Sequence, residues 1–377
     1  MKRALSILFL CCVLLGCAAC GNGQTAEPVA GDSEQTTEPA EADAPMEGEA
    51  AEAPVEEASA SDEEVAEEPA PEETEEPAAE PVLLSNGMSA DPADYDASVP
   101  ATNKLRDQVQ DKFTQELFED SETGLNIDFN LLLPEGYGSG ETYPLVIFLS
   151  DASIVGKEVI APVIQCRGAM VWATDAWQEE HPCIVAVPQF YTAIINDNNG
   201  VEEITDYVES VGNLIRMLCD NYDVDTNRVY GMGQSMGCMV TMYLDAKYDD
   251  LYTACLFVDG QWNIEQLQSL TDRKFIYFAA EGDQKASTGM AEVKELLTNA
   301  GVSYSETVWN AQDDQALLNE QALELLSDGN DVNFVSWQIG SVVGKPGEDG
   351  GMREHMASFD FAFRQTVLRE WLFAQSK

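Results

Sequence analysis

Val229-Tyr230-Gly231-Met232-Gly233-Gln234-Ser235-Met236-Gly237-Cys238 decides how the rest of the chain is read. A short apolar run enters G-x-S-x-G, and residues 236–247 continue with helical periodicity. A sharp strand-to-helix turn forces its central serine into a strained backbone, and glycines two residues before and after it keep side chains from colliding. Gly233 and Gly237 occupy those places, so Ser235 is the expected nucleophile. The helix beginning at Met236 offers a free N–H and a positive dipole end to a developing oxyanion. A dinucleotide fingerprint is excluded, because G-x-G-x-x-G would need glycine at Met236.

Upstream, Lys2 and Arg3 precede an apolar stretch over residues 4–15, too short to span a bilayer and shaped like an export signal. It closes on Leu14-Leu15-Gly16-Cys17, which resembles the bacterial lipobox; Cys17 is the expected lipidated residue, with Cys20 in reserve. Residues 1–20 are therefore read as a leader, residues 21–90 as a disordered acidic linker and residues 91–377 as the folded domain. The linker is rich in Glu, Ala and Pro, and no Lys or Arg occurs between Arg3 and Lys104. Its roughly 21 unopposed acidic charges in residues 21–82 leave too little apolar surface to offset backbone entropy. Such a chain extends by self-repulsion and would hold the domain at least ~45 Å from its anchor. The expected location is the outer face of a bacterial membrane, touched through the lipid alone.

About 285 residues remain, enough for one α/β domain. This domain is acidic in its own right, which speaks against nucleic-acid binding and against docking on anionic lipid or wall polymers. Five cysteines remain outside the leader, at 166, 183, 219, 238 and 255, without C-x-x-C spacing; one disulfide among them is allowed and no pair is favoured. No metal site is expected: H-E-x-x-H is missing, and in Asp223-Val224-Asp225-Thr226-Asn227 Arg228 stands where a calcium loop needs glycine. No cofactor is called for.

Apolar runs alternate with helix-period segments, which predicts a mainly parallel sheet with helices on both faces. Strands are expected at residues 125–133 (an antiparallel edge), 143–149, 183–187, 251–258, 274–279, 302–309 and 332–339. Helices are expected over 156–180, 203–222, 290–300 and 361–376.

A serine hydroxyl is nearly inert until a base takes its proton, and that base needs a carboxylate to fix its tautomer. There are only two histidines. His181 precedes the nucleophile and enters a strand from the end opposite the reactive edge, so it is read as a surface turn residue. His355, in a loop behind Gly344, Gly347, Gly350 and Gly351, is the expected base. The acid is expected just beyond the 274–279 strand, with Asp283 preferred to Glu281 for its reach. A second oxyanion donor is expected from the backbone of Asp151 or Ala152, beside the N–H of Met236. A carboxylate there is unfavourable unless Asp151 turns outward or pairs with a cation such as Arg353. Tyr191, Gln261 and Trp262, after their strands, are the expected substrate contacts, with Trp262 placed to stack on an aromatic acyl group or a sugar.

The 224–237 segment is similar to the elbow of the α/β-hydrolase branch that holds polyhydroxybutyrate depolymerase-like, feruloyl esterase-like and prolyl-oligopeptidase-like enzymes. Leu131-Leu132-Leu133-Pro134-Glu135-Gly136-Tyr137 with Tyr143-Pro144-Leu145-Val146 resembles that group's entry strands. Residues 278–283, and His355 ahead of Trp371-Leu372-Phe373, resemble its acid and histidine segments. One departure stands out: Ser150-Asp151 replaces the usual His-Gly after the oxyanion strand. The resemblance implies an α/β-hydrolase fold and ester hydrolysis through an acyl-serine, without fixing the acyl group. A prolyl-oligopeptidase-like peptidase and a non-catalytic binding protein on the same fold are the alternatives.

Overall fold

The computed structural model describes residues 99–197 and 201–377; the leader, Cys17 and the linker through residue 90 lie outside the described residues. The chain enters through helix α1 (Val99–Val109) and strands β1 (Thr114–Glu119), β2 (Asn126–Leu132) and β3 (Tyr143–Leu149). Short helices α2 (Ala161–Ile164), α3 (Arg167–Met170) and α4 (Asp175–Glu180) lead to β4 (Ile184–Gln189) and the two-residue strands β5 (Ile195–Asn196) and β6 (Glu203–Ile204). Then come α5 (Asp206–Asn221), β7 (Val224–Gln234), α6 (Met236–Lys247), β8 (Ala254–Val258) and β9 (Phe275–Ala280). The chain finishes with α7 (Gln284–Ala300), β10 (Ser305–Trp309), α8 (Gln315–Leu326), β11 (Val332–Trp337), α9 (Met352–Phe363) and α10 (Thr366–Phe373).

Nine strands form one sheet in the order β1-β2-β4-β3-β7-β8-β9-β11-β10. The β1–β2 and β2–β4 pairs are antiparallel and the remaining pairs parallel. All seven residues of β3 are buried, the signature of a strand covered on both sides. Its side chains alternate between two cores. Val146 and Phe148 join the face packed by α8, α9 and α10, and Leu145, Ile147 and Leu149 the face packed by α5, α6 and α7. Pro144 cannot donate to the ladder and falls where the β3–β7 register shifts. From β3 the chain moves outward to β4, then returns to place β7 on the other side of β3. That reversal puts the carboxyl ends of β3 and β7 at a topological switch point, where open α/β sheets bind ligands.

Several elements differ from the sequence reading. The sheet edge is β1, not residues 125–133; β1 is almost wholly exposed and shows no alternation to reveal it. The expected helix over 156–180 is broken into three. Extended backbone at Cys166 (φ −148°, ψ −177°) ends one turn, and Thr174, accepting the Trp177 N–H at 3.1 Å, starts another. Residues 361–376 hold the end of α9 and all of α10, separated at Gln365 (φ −75°, ψ 93°). The five described cysteines are free thiols, four of them buried.

The close approach of α6 to the sheet depends on two missing side chains. A Cβ on Gly233 would lie 2.3 Å from the Gly237 carbonyl, and one on Gly237 would lie 2.0 Å from the Leu149 carbonyl oxygen. Both obstacles are backbone, which cannot rotate away. Gly237→Ala is expected to lose about 3 kcal/mol or more by overpacking and to lower the thermal midpoint by about 5 °C or more. Unchanged thermal melts of purified Gly237→Ala would contradict this packing.

Candidate active site

Ser235 sits between β7 and α6 with φ 52° and ψ −118°. Its backbone is tied to the next strand, where its N–H donates to Val258 O at 3.0 Å, and its carbonyl accepts the Met239 N–H of α6 at 3.0 Å. The turn aims Oγ at His355, whose Nε2 lies 2.8 Å away. On the other side of the ring, Nδ1 is 2.5 Å from Asp283 Oδ2. An ionised carboxylate only accepts, so Nδ1 carries the proton, Nε2 is the acceptor and Ser235 donates to it. Asp283 is itself held: it is the N-cap of α7, and its Oδ1 accepts the Ala286 N–H at 3.2 Å. Glu281 points elsewhere, Oε2 accepting the Ile339 N–H at 2.8 Å.

His355 lies in the first turn of α9 rather than in a loop. The glycine run that suggests a loop ends at Gly351, which takes φ 57° immediately before the helix. Two contacts press α9 onto the sheet's carboxyl edge. Gly282 has no side chain, and the buried Glu354 carboxylate occupies the space a Cβ would fill. Ser358, one turn beyond His355, donates to Asp259 Oδ2. The other oxygen, Asp259 Oδ1, accepts the Ala280 N–H at 2.8 Å, so one carboxylate joins the ends of β8 and β9 to the histidine's helix.

Asp259 is a site residue that the sequence reading missed. It is fully buried and has φ 41°; with Ser235 it is one of two non-glycine residues of positive φ among the described residues. Burial pushes its carboxyl up to about 7, against the opposing pull of the Ser358 and Ala280 hydrogen bonds. Burial alone would lower the His355 pKa. The Asp283 hydrogen bond and charge, helped by Asp259 and Asp151, outweigh it and lift His355 above the usual imidazole range.

His181 is not a surface turn residue. Its side chain is 14% exposed, Nε2 lies 2.9 Å from Glu370 Oε1, and the ring packs on Trp177 and Phe373. Asp151 neither turns outward nor meets Arg353. It is buried and accepts from Ser153 N at 2.7 Å, Gln165 Nε2 at 2.5 Å and Gln234 Nε2 at 2.7 Å. Three donors hold the carboxylate beneath the loop after β3 and leave Ala152, not Asp151, facing the cavity with Met236. Arg353 is exposed, its Nε 3.4 Å from Gly350 O.

The cavity above Ser235 has a volume of about 800 Å³. Gln261 lines it, whereas Trp262 and Tyr191 do not. Trp262 is buried in the core with its indole N–H on Gln266 Oε1 at 3.0 Å; Tyr191 is 54% exposed and donates to Asp128 Oδ2 at 2.9 Å, out on β2. No Phe, Tyr or Trp side chain lines the cavity among the described residues. Asp197, Lys285, Met239 and Ile339, none marked out by the sequence, help to form its walls.

These facts set the pH dependence of any reaction using His355 as base. The ring must be neutral, so the rate should rise with pH through a midpoint above ~6.5. Asp259→Asn can keep both hydrogen bonds, accepting from Ala280 through Oδ1 and donating to Ser358 through Nδ2, while losing the charge. Its acid limb is expected at lower pH than the wild-type limb. A midpoint in the pH profile of kcat/KM that does not move would refute the electrostatic role given to Asp259.

Neither family models nor curated proteins yield a match to the chain. Among solved structures, a thermostable esterase aligns with a TM-score of 0.55 and 25% identity over 71% of this chain; the chain spans 64% of that esterase's length. A feruloyl esterase module from Clostridium thermocellum aligns at TM-score 0.45 and 13% identity over 67% of this chain and 87% of its own. An S-formylglutathione hydrolase from Staphylococcus aureus aligns at 0.40 and 12% over 69% and 96%. The first of these likenesses, with the sheet order and the turn at Ser235, carries the conclusion: the chain has the α/β-hydrolase fold of the kind found in serine esterases.

Proposed function

We propose that the protein is a serine hydrolase that cleaves carboxylic esters through an acyl-serine. The single observation carrying this reading is that one imidazole bonds the Asp283 carboxylate through Nδ1 and the Ser235 hydroxyl through Nε2, beside an open cavity. In this reading Ser235 Oγ attacks the ester carbonyl as its proton passes to His355 Nε2. Asp283 stabilises the resulting imidazolium. The carbonyl oxygen takes up negative charge and is met by the backbone N–H groups of Met236 and Ala152, the first reinforced by the N-terminus of α6. Collapse breaks the bond to the alcohol, which leaves with the proton from Nε2. Water, deprotonated by the same nitrogen, then releases the acid and restores Ser235.

A fluorophosphonate probe is expected to label wild type at Ser235 and to leave Ser235→Ala unlabelled. Ser235→Ala and His355→Ala are expected to lose about ten-thousand-fold or more in kcat on p-nitrophenyl butyrate. Probe labelling of Ser235→Ala equal to wild type would remove the nucleophile. Turnover of peptide amides in place of esters would replace the esterase reading with a peptidase one.

The proposal extends to location. With Cys17 lipidated, the enzyme is exported and held on the outer face of the cell membrane, with residues 21–90 as its spacer. Cys17→Ala is expected to move the protein from the membrane fraction to the soluble exported fraction. Retention of a lipid label in that variant would transfer the anchor to another residue.

A further inference from the structure

The charges around the cavity are unevenly matched. Among its lining residues stand the carboxylates of Asp197, Asp259, Glu281, Asp283 and Asp349 against one cation, Lys285. Lys285 is already committed: its Nζ lies 3.0 and 3.1 Å from the two oxygens of Asp197, whose Oδ2 also accepts from Gln261 Nε2 at 2.6 Å. That cluster has no net charge to offer an anion. Asp283 is held by His355, and Asp259 is buried between Ala280 and Ser358. Glu281 and Asp349 are different. Both are exposed at the mouth, and each accepts one backbone N–H, from Ile339 and Gly351 respectively, at 2.8 Å. Among the described residues neither is paired with a cation. The remaining wall includes Ala193, Ile195, Met236, Met239 and Ile339, with no Phe, Tyr or Trp ring among the described residues on which a planar group could stack.

We propose that this cavity selects aliphatic esters and thioesters carrying no negative charge, with Glu281 and Asp349 as the side chains that turn anionic substrates away. The proposal rests on the ester-hydrolase reading above and names its substrate class. An anionic substrate brings a like charge toward two unneutralised carboxylates, and its oxyanion then develops in the same negative field. Asp283, Asp259 and Asp151 add to the negative field at the reacting centre, where all three favour the protonated form of His355. At a separation taken as about 10 Å in a partly hydrated cleft, two like charges supply roughly a tenfold discrimination, which salt should screen. A cationic group gains where the anion loses.

Three S-butyryl thioesters of similar size and one common thiol assay test this: those of thiocholine (cationic), 2-mercaptoethanol (neutral) and 2-mercaptoethanesulfonate (anionic). For the full wild-type chain at about 20 mM salt, kcat/KM for the sulfonate is expected about tenfold or more below the neutral thioester, with thiocholine at or above it. At about 500 mM salt the spread should narrow to about threefold or less. In Glu281→Gln/Asp349→Asn the sulfonate-to-neutral ratio should rise about fivefold or more at low salt. Calorimetric binding of the three thioesters to Ser235→Ala reads the ranking without turnover. Ranked binding with no wild-type hydrolysis would remove the esterase reading and keep the charge selection. Equal kcat/KM for all three at low salt, or a ratio unmoved by the double substitution, would overturn the proposal.

Discussion

Everything at the site depends on one uncomfortable turn. Ser235 holds a positive φ that costs an L-residue about 1–2 kcal/mol, and the fold does not let it relax. Its N–H is taken by β8 and its carbonyl by α6, while the missing side chains at Gly233 and Gly237 let α6 press against the end of β3. The consequence is chemical. The hydroxyl stands clear of the sheet, and the first N–H of α6 and the loop after β3 border the same cavity. A relaxed turn would give up both together.

The histidine reaches this hydroxyl because α9 is fastened to neighbouring strand ends. Asp283 comes from the end of β9 and is fixed as the cap of α7; Asp259 comes from the end of β8 and grips Ser358; Glu354 packs over Gly282. With β7 and α6 meeting at Ser235, three strands and three helices thus converge around His355. Asp259 carries the second positive φ of a non-glycine residue among the described residues, so both such residues lie where the reacting groups meet. Buried carboxylates at this depth are costly unless hydrogen-bonded; the bonds made by Asp151 and Asp259 offset part of that cost while their charge bears on the imidazole.

The sequence discloses what local rules dictate and hides what distant partners decide. G-x-S-x-G between an apolar run and a helical period marks Ser235 because strand, turn and helix lie within about twenty residues. With only two histidines and a fixed order of strands, His355 and Asp283 can be singled out before any geometry is known. The helix under His355 is hidden by its glycines, since the same residues that suggest a loop can also end one just before a helix. Asp259 gives no local sign, its partner Ser358 lying 99 positions away. Nor does the sequence say which way Tyr191 and Trp262 point. Both follow strands at the reactive edge, yet one is drawn to Asp128 and the other into the core beside Gln266. The exposed β1 escapes for a simpler reason: it has no buried face to impose a period of two.

The central claim is that the turn at Ser235 presents a nucleophile and an oxyanion site as one unit. A crystal structure of the phosphonylated protein tests it most directly, because the bound phosphonyl group mimics the tetrahedral intermediate. The expected result is a bond from phosphorus to Ser235 Oγ, with the phosphonyl oxygen 2.7–3.1 Å from the backbone nitrogens of Met236 and Ala152. An adduct on another residue, or a phosphonyl oxygen turned to solvent away from both nitrogens, would contradict it.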